Sequence, residues 1–559
     1  MLKHFWQTKF ILLIILLLGA FLRFYNIDWD QGQHLHPDER FLTIVSTSML
    51  LPASFIEYLS PQTSTFNPAN IGHAFYVYGT LPLVVNKLLA LGTDADNYMD
   101  ITLQGRILSG FADLLVIVVI FKVVQLFERR HKFHHHIKYW SAFFYAIAVL
   151  PIQLSHFFAV DTFLTLFAFT SFYFALRFSY DKSLPMLVLS AVFFGLAIGS
   201  KISAIYIAPL LLFFIVKAYM QQATVTKKQF SHLAIGGLTF ALIAYVVGRI
   251  ADPYLFQNGN FVDPTISSLF LNNLQALRSW STPEALFPPS VQWVNKLPLL
   301  FPLTNIVLLG LGVAYTFFVI FGIVMMIKKY NYPETLAVLL WMLLFFLYQG
   351  VQFSTTMRYF LPLYPFLAIV AAIGFFELTK RWSHVAKAAI LLPVIIWPML
   401  FFSIYTQPHS RNLASEWIHQ NIPSGSILLS EHWDDSLPLS INAPSQKVYT
   451  IDQLPVFDPD SPEKWTKMDN MLRAGDYLIL SSNRGWGSIP TVPARYPQMT
   501  AFYDDLFRGE TRYKKVAEFT SYPSLQYLGI PVTIGDDWAE EAFTVYDHPK
   551  VLIFKNTAK

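Results

Sequence analysis

Apolar residues run through the first 404 positions in blocks long enough to cross a bilayer, and then stop. About 20 predominantly apolar residues cover a ~30 Å hydrocarbon core. Such runs fall near 10–25, 106–126, 139–155, 160–177, 184–200, 202–217, 231–249, 305–327, 335–352, 359–377 and 387–404, which predicts eleven spanning helices. The stretch 78–91 is shorter, amphipathic, and interrupted by Pro82 and Lys87, the pattern of a helix lying in the interface. Lys3 and Lys9 precede the first run and Arg23 closes it without a small-x-small cleavage site, so it reads as a span rather than a removed signal. From about Tyr405 the pattern changes. Helical spacing over 412–419 leads to strand-like runs at 426–430, 476–482 and 550–555. The expected fold is mainly α: a polytopic transmembrane helical bundle over 1–404, then a C-terminal extracytoplasmic α/β domain over 405–559. A first outer loop, 26–105, would carry the interfacial helices.

Composition agrees with that class. Only 14% of residues are charged, against about 25% in soluble domains. A net charge of +4 gives no reason to expect nucleic acid, and the absence of cysteine excludes disulfides, thiolate metal sites and cysteine nucleophiles. The distribution of Lys and Arg is more informative. Segments 1–9, 127–138, 177–183, 217–229, 328–334 and 379–387 hold 16 of them in 57 positions, whereas 26–105, 155–160, 199–201, 251–304 and 350–358 hold 6 in 152. By the positive-inside rule the first set is cytoplasmic. This predicts a multi-pass plasma-membrane protein with a cytoplasmic N-terminus and an outer C-terminal domain.

Charges at the edge of hydrocarbon are costly and mark functional candidates. Here they gather at the outer boundary. His34, His36, Asp38 and Glu39 follow the first span; His156 and Asp161 lie between the third and fourth; Lys201 lies between the fifth and sixth. Arg249 and Asp252 end the seventh and Arg358 begins the tenth. A carboxylate can take the proton of an attacking hydroxyl, and Lys and Arg can hold a phosphate and stabilise charge on it as it leaves. That set suits transfer of a group from a phosphate carrier, and a lipid-linked carrier reaches an outer site where cytoplasmic nucleotides do not. Each residue also has a plainer role open to it. Asp161 fits a helix N-cap, Lys201 and Arg358 fit interfacial anchors, Glu39 fits a structural acid, and His156 fits hydrogen-bonded packing. His34 and His36 with Asp38 are candidate ligands for a divalent metal, although one loop cluster without a distant ligand is a weak signal. Asp113, inside the second span, fits a hydrogen bond between helices, and the histidines at 131 and 134–136 fit a solvated basic loop on the cytoplasmic side.

At these residues the chain resembles the polyprenyl-phosphate-dependent glycosyltransferases of the GT-C superfamily, in the branch of protein mannosyltransferases and the lipid A aminoarabinose transferase. The resemblance lies in His-Pro-Asp-Glu at 36–39, Leu-Ser-His-Phe-Phe-Ala-Val-Asp-Thr at 154–162, Gly-Leu-Ala-Ile-Gly-Ser-Lys at 195–201 and Arg-Tyr-Phe-Leu-Pro at 358–362. Tyr-Gly-Thr-Leu-Pro at 78–82 is similar to the family's interfacial helix. It implies a transferase using a polyprenyl-phospho-sugar, with Asp38 as base, Asp161 as a second acid with Glu39 beside the pair, and Lys201 and Arg358 on the phosphate. His156 and Arg249 are further substrate-binding candidates. The expected partners are that lipid donor, a protein, lipid or glycan acceptor, and membrane lipid. The rival expectations are a transporter or flippase for a lipid-linked sugar, and a non-catalytic partner that presents an acceptor.

Overall fold

The computed structural model describes residues 2–220, 226–441 and 447–559, with side chains from Lys9 onward. Residues 221–225, within the basic segment 217–229, therefore lie outside the described residues, as do the side chains that begin segment 1–9. Seven described helices are long and apolar enough to cross a membrane, and nine if each of two bent pairs is one span. The eleven-span reading adds the 17-residue Leu184–Ser200 and the first helix, Leu2–Phe24, to those nine. Two expected straight spans are broken: Ile137–Ala146 and Val149–Ser155 meet at 54°, and Leu300–Leu311 and Val313–Lys328 more sharply, at 112°. The sharper break falls at Gly312, whose φ of +85° and contact with the Trp397 ring leave no room for a side chain.

Most polar groups inside the bundle are paired, as the low dielectric demands. Asp113 takes Arg23 Nε at 2.6 Å and the Tyr145 hydroxyl at 2.5 Å, which ties the first helix to Tyr98–Arg130 and Ile137–Ala146. Beyond the first helix, His36 caps the helix Pro37–Ser48 by accepting from Glu39 N, with Pro37 at the first helical position. A 12-residue helix, Leu81–Gly92, packs beneath it.

The C-terminal part carries a five-stranded sheet, β1 (Ile427–Glu431), β2 (Thr450–Leu454), β3 (Tyr477–Leu480), β4 (Tyr513–Phe519) and β5 (Val551–Asn556), in the order β2-β1-β3-β5-β4. β1 is parallel to β2 and β3, and β5 is antiparallel to β3 and β4. Both faces of its centre are covered. Leu429, Leu478, Leu480, Leu552 and Phe554 pack with Met468, Leu472, Met499 and Leu506. Leu428, Ile479, Val551 and Ile553 pack with Ala414, Ile418 and Ile422. Alternate residues of each strand thus serve opposite cores, as the period of two requires.

Candidate active site

Four of the charged candidates, from four distant segments, meet in one place. Pro37–Ser48 turns about 100° per residue, so its two adjacent acids diverge. Glu39 points inward to Arg106, receiving Nη2 at 2.6 Å and Nε at 3.0 Å, and it also accepts Phe158 N at 2.7 Å. Asp30 takes the other side of the same guanidinium, at 2.8 and 3.0 Å. Asp38 points the other way and pairs with Arg358, while Tyr78 donates its hydroxyl to the same carboxylate.

Beside this pair sits a second one. Asp161, in the first turn of Val160–Asp181, receives Lys201 Nζ at 2.7 Å. Lys201 closes Leu184–Ser200, and Arg358 opens the short helix Met357–Leu363. Tyr359 links the two pairs, with Lys201 Nζ 4.8 Å and the Arg358 guanidinium carbon 5.6 Å from its ring centre. The Asp161 charge is also felt at Arg358. Asp38 keeps 29% of its side chain exposed and Asp161 only 3%, so an entering hydroxyl meets Asp38 first. Burial pushes the Asp38 carboxyl up, but Arg358, His36 and the Tyr78 hydrogen bond outweigh it and hold the group at about 2.

The remaining candidates act elsewhere. Glu39 is fully committed to Arg106 and Phe158 N, so it fastens the helix and is not free for proton transfer. His156 is buried, its ring nitrogens 2.8 and 3.2 Å from the carbonyl oxygens of Ile152 and Tyr25, and its ring stacks on Tyr405 at 3.8 Å. It packs rather than meeting substrate. Arg249 donates to the carbonyls of Asp263 and Asn260 at 2.9 and 2.6 Å and to that of Asn258, pinning the loop that follows its helix. Asp161 is not the N-cap of its helix; Ala159 occupies that position, and the carboxylate goes to Lys201.

His34 and His36 do not come together as a pair of metal ligands. His34 Nδ1 is 3.0 Å from the Thr102 hydroxyl and its Nε2 3.4 Å from Met99 Sδ, while His36 Nδ1 accepts Glu39 N, so the two imidazoles serve different neighbours. Both nearby carboxylates are taken by cations. Among the described residues, the one grouping of three ligand atoms within reach of one another is His134, His135 and His136, in the basic loop remote from these acids.

Several residues of the site carry no mark in the sequence. Tyr78 and Tyr359 sit inside the quoted motifs but are given no role there. Glu540, from the C-terminal part, accepts Met357 N at 3.1 Å and Asn305 Nδ2 at 2.8 Å, which fixes the turn that presents Arg358. Tyr546 lies 4.4 Å ring to ring from His36, the cap of the Asp38 helix.

Comparison with known proteins places this geometry. Residues 82–247 match the family described as dolichyl-phosphate-mannose-protein mannosyltransferase. The oligosaccharyltransferase of Archaeoglobus fulgidus, solved tethered to an acceptor peptide containing the NVT sequon, superposes with a TM-score of 0.53 at 13% identity, over 99% of this chain and 89% of that one. The chain has the fold of that archaeal enzyme over nearly its whole length. The same archaeal enzyme in complex with Zn and sulfate gives a TM-score of 0.50 at 12% identity, over 90% and 71% of the two chains. ArnT from Cupriavidus metallidurans bound to undecaprenyl phosphate gives 0.48 at 12% identity, over 98% of each. No curated protein sequence matches the chain. The family match takes in Asp161 and Lys201 but neither Asp38 nor Arg358, which the fold brings to them.

Proposed function

We propose that this chain is a glycosyltransferase that moves a sugar from a polyprenyl-phosphate carrier to a hydroxyl acceptor at the outer face of the plasma membrane, with Asp38 as base. The observation that carries the reading is the pair of acid–cation couples, Asp38–Arg358 and Asp161–Lys201, joined across Tyr359. Two cations fixed side by side suit a phosphate, and two carboxylates beside them suit the proton released by an attacking hydroxyl. The matched family is named for a lipid-phosphate sugar and the archaeal relative was solved with an acceptor peptide, so a lipid donor is the expected partner and a protein acceptor is a natural one.

At rest each carboxylate is spent on a cation, and an Asp38 held near 2 is a poor base. A donor phosphate competes for Arg358 and Lys201. As it draws Arg358 away, Asp38 loses its main stabilising charge and its basicity rises toward the value its burial favours. The acceptor oxygen then forms a bond to the anomeric carbon while the bond from that carbon to the phosphate oxygen breaks. Asp38 takes the acceptor proton, and polyprenyl phosphate leaves on Lys201 and Arg358, with inversion at carbon. The Lys and Arg bias of the loops supports an outer site and a cytoplasmic N-terminus, and the division at 404/405 separates the bundle that holds the site from the part that covers it.

The test is Asp38→Asn in protein purified with lipid. Transfer from a polyprenyl-phospho-sugar should fall about 10²–10⁴-fold while the variant stays monodisperse and inserted. Normal transfer by that variant would remove Asp38 from the mechanism.

A further inference from the structure

Next to the site lies a cavity of about 200 Å³ between the first outer loop and the loop after Lys227–Ala251. It is smaller than the roughly 300–1,000 Å³ of pockets that enclose drug-sized ligands. Tyr78 and Thr80 form one wall, and Tyr78 is the residue that bonds Asp38. The cavity therefore shares a wall with the proposed base.

Its chemistry differs from that of the site beside it. No Lys or Arg lines it, so it has nothing to offer a phosphate. Amide side chains do line it, among them Gln62, Asn70, Gln257 and Asn273, together with the rings of Tyr76 and Phe270. The side-chain nitrogens of Asn70 and Asn273 are each spent on two backbone carbonyls, which turns their oxygens to accepting from sugar hydroxyls, and a flat ring offers an apolar face to the C–H side of a pyranose. The one charged liner, Asp252, is buried and already accepts from the Thr80 hydroxyl at 2.7 Å. It braces the floor.

The walls are held in place rather than left as loose loop. Gln62 Nε2 donates to Gln257 O at 2.6 Å, Asn273 Nδ2 to Ala74 O at 2.8 Å, and Arg249 pins the loop through three carbonyls. Gly79 fits so closely against the backbone of Gly199 that no side chain could stand there, which fixes the Tyr78 turn beside the end of the Lys201 helix.

We infer that this cavity holds a single neutral pyranose ring next to Asp38, as a saccharide subsite of the transferase. The inference rests on the glycosyltransferase reading of the adjoining acid–cation site. A sugar ring could reach it from the acceptor, as the terminal residue of a glycan, or from the donor; the shared chemistry is the neutral polyhydroxylated ring.

The experiment uses the full chain in lipid nanodiscs. Saturation-transfer NMR with the methyl glycosides of mannose, glucose and N-acetylglucosamine measures binding. Turnover of a short-chain polyprenyl-phospho-mannose or -glucose is followed both to an added glycoside and to water. Ala69→Trp fills the cavity from its rim, and Phe270→Ala, which only removes a ring, serves if the first variant folds poorly. Wild type should bind at least one glycoside saturably, with binding about tenfold or more weaker in Ala69→Trp and several-fold weaker in Phe270→Ala. If transfer to the glycoside falls and release of sugar to water persists, the ring belongs to the acceptor; if both fall together, it belongs to the donor. Glycoside binding equal in wild type and both variants, or displacement of bound glycoside by a Ser/Thr peptide alone, overturns the subsite. Wild-type binding without any turnover would instead leave the subsite standing and overturn the transferase reading.

Discussion

At the scale of single residues the site is a contest for Arg358. Its guanidinium pairs with Asp38, lies over Tyr359 and feels Asp161, so the ligand that displaces it sets the state of the base. Arg358→Gln should weaken the hold on the leaving phosphate and lower kcat/KM about 10²–10³-fold, the usual loss when one stabilising donor is removed. It should also shift the pH profile. In the free enzyme Arg358 is the main opposing charge that keeps Asp38 near 2 against the upward push of burial. Without it the carboxyl rises, so protonation removes the base at higher pH and the acid limb of kcat/KM moves upward. An unmoved acid limb would mean that Asp38 is not the titrating group. Arg358→Lys keeps the charge but not the planar fork, and a rise in donor KM larger than the fall in kcat is expected.

At the scale of elements, one turn of helix decides what the sequence leaves open. Asp38 and Glu39 are adjacent acids in one motif, and nothing in their spacing says which does chemistry. The rotation of Pro37–Ser48 gives Glu39 to Arg106 and Asp38 to Arg358. Glu39→Gln should therefore act on stability, by about 1–3 kcal/mol, because it weakens the hydrogen bonds on the buried Arg106 guanidinium while Asp30 keeps that charge paired. In the surviving folded fraction kcat should stay near wild type, as read by thermal unfolding alongside turnover. A large kcat loss in fully folded protein would return Glu39 to the chemistry. The grouping of Asp38, Asp161, Lys201 and Arg358 is legible in the sequence because charge at a hydrocarbon boundary is expensive and stands out. Tyr78 and Tyr359 are not, since a tyrosine at an interface is ordinary. In the C-terminal part, β1, β3 and β5 show as apolar runs buried on both faces, but β2 and β4 are sheet edges. Most of their residues are exposed or half-buried, and polar edges of that kind carry little pattern. His34 and His36 show the converse error: they are close in sequence and yet face different neighbours, because the chain turns at His34, where φ is +53°.

At the scale of the molecule, the C-terminal part is built into the bundle. Glu540 holds the turn before Arg358, Tyr546 packs on the cap of the Asp38 helix, and Asp547 accepts Gln153 Nε2 at 3.0 Å and the Tyr405 hydroxyl at 3.1 Å. Asp547 is in turn held by His548, whose Nδ1 lies 2.5 Å from it and whose Nε2 lies 2.9 Å from Asp536. Burial alone would lower the imidazole, but the two carboxylates overcome it and raise the group from its usual 6.5 to about 10. The folded protein therefore binds a proton that the unfolded chain gives up above 6.5, so the stabilisation is complete below that pH and is lost as pH rises toward 10. His548→Asn leaves two buried acids without their cation and should cost about 3–5 kcal/mol at pH 6.5. Thermal unfolding in detergent across pH 6–10 separates the cases. Wild-type stability should decline through this window, and the variant should start lower with a visibly flatter slope. Because Asp547 also grips Gln153 and Tyr405, loosening it should first free the C-terminal part from the bundle, seen as faster hydrogen exchange over 536–548 before the helices open. Parallel pH slopes for the two proteins would show that the His548 cluster does not set this dependence.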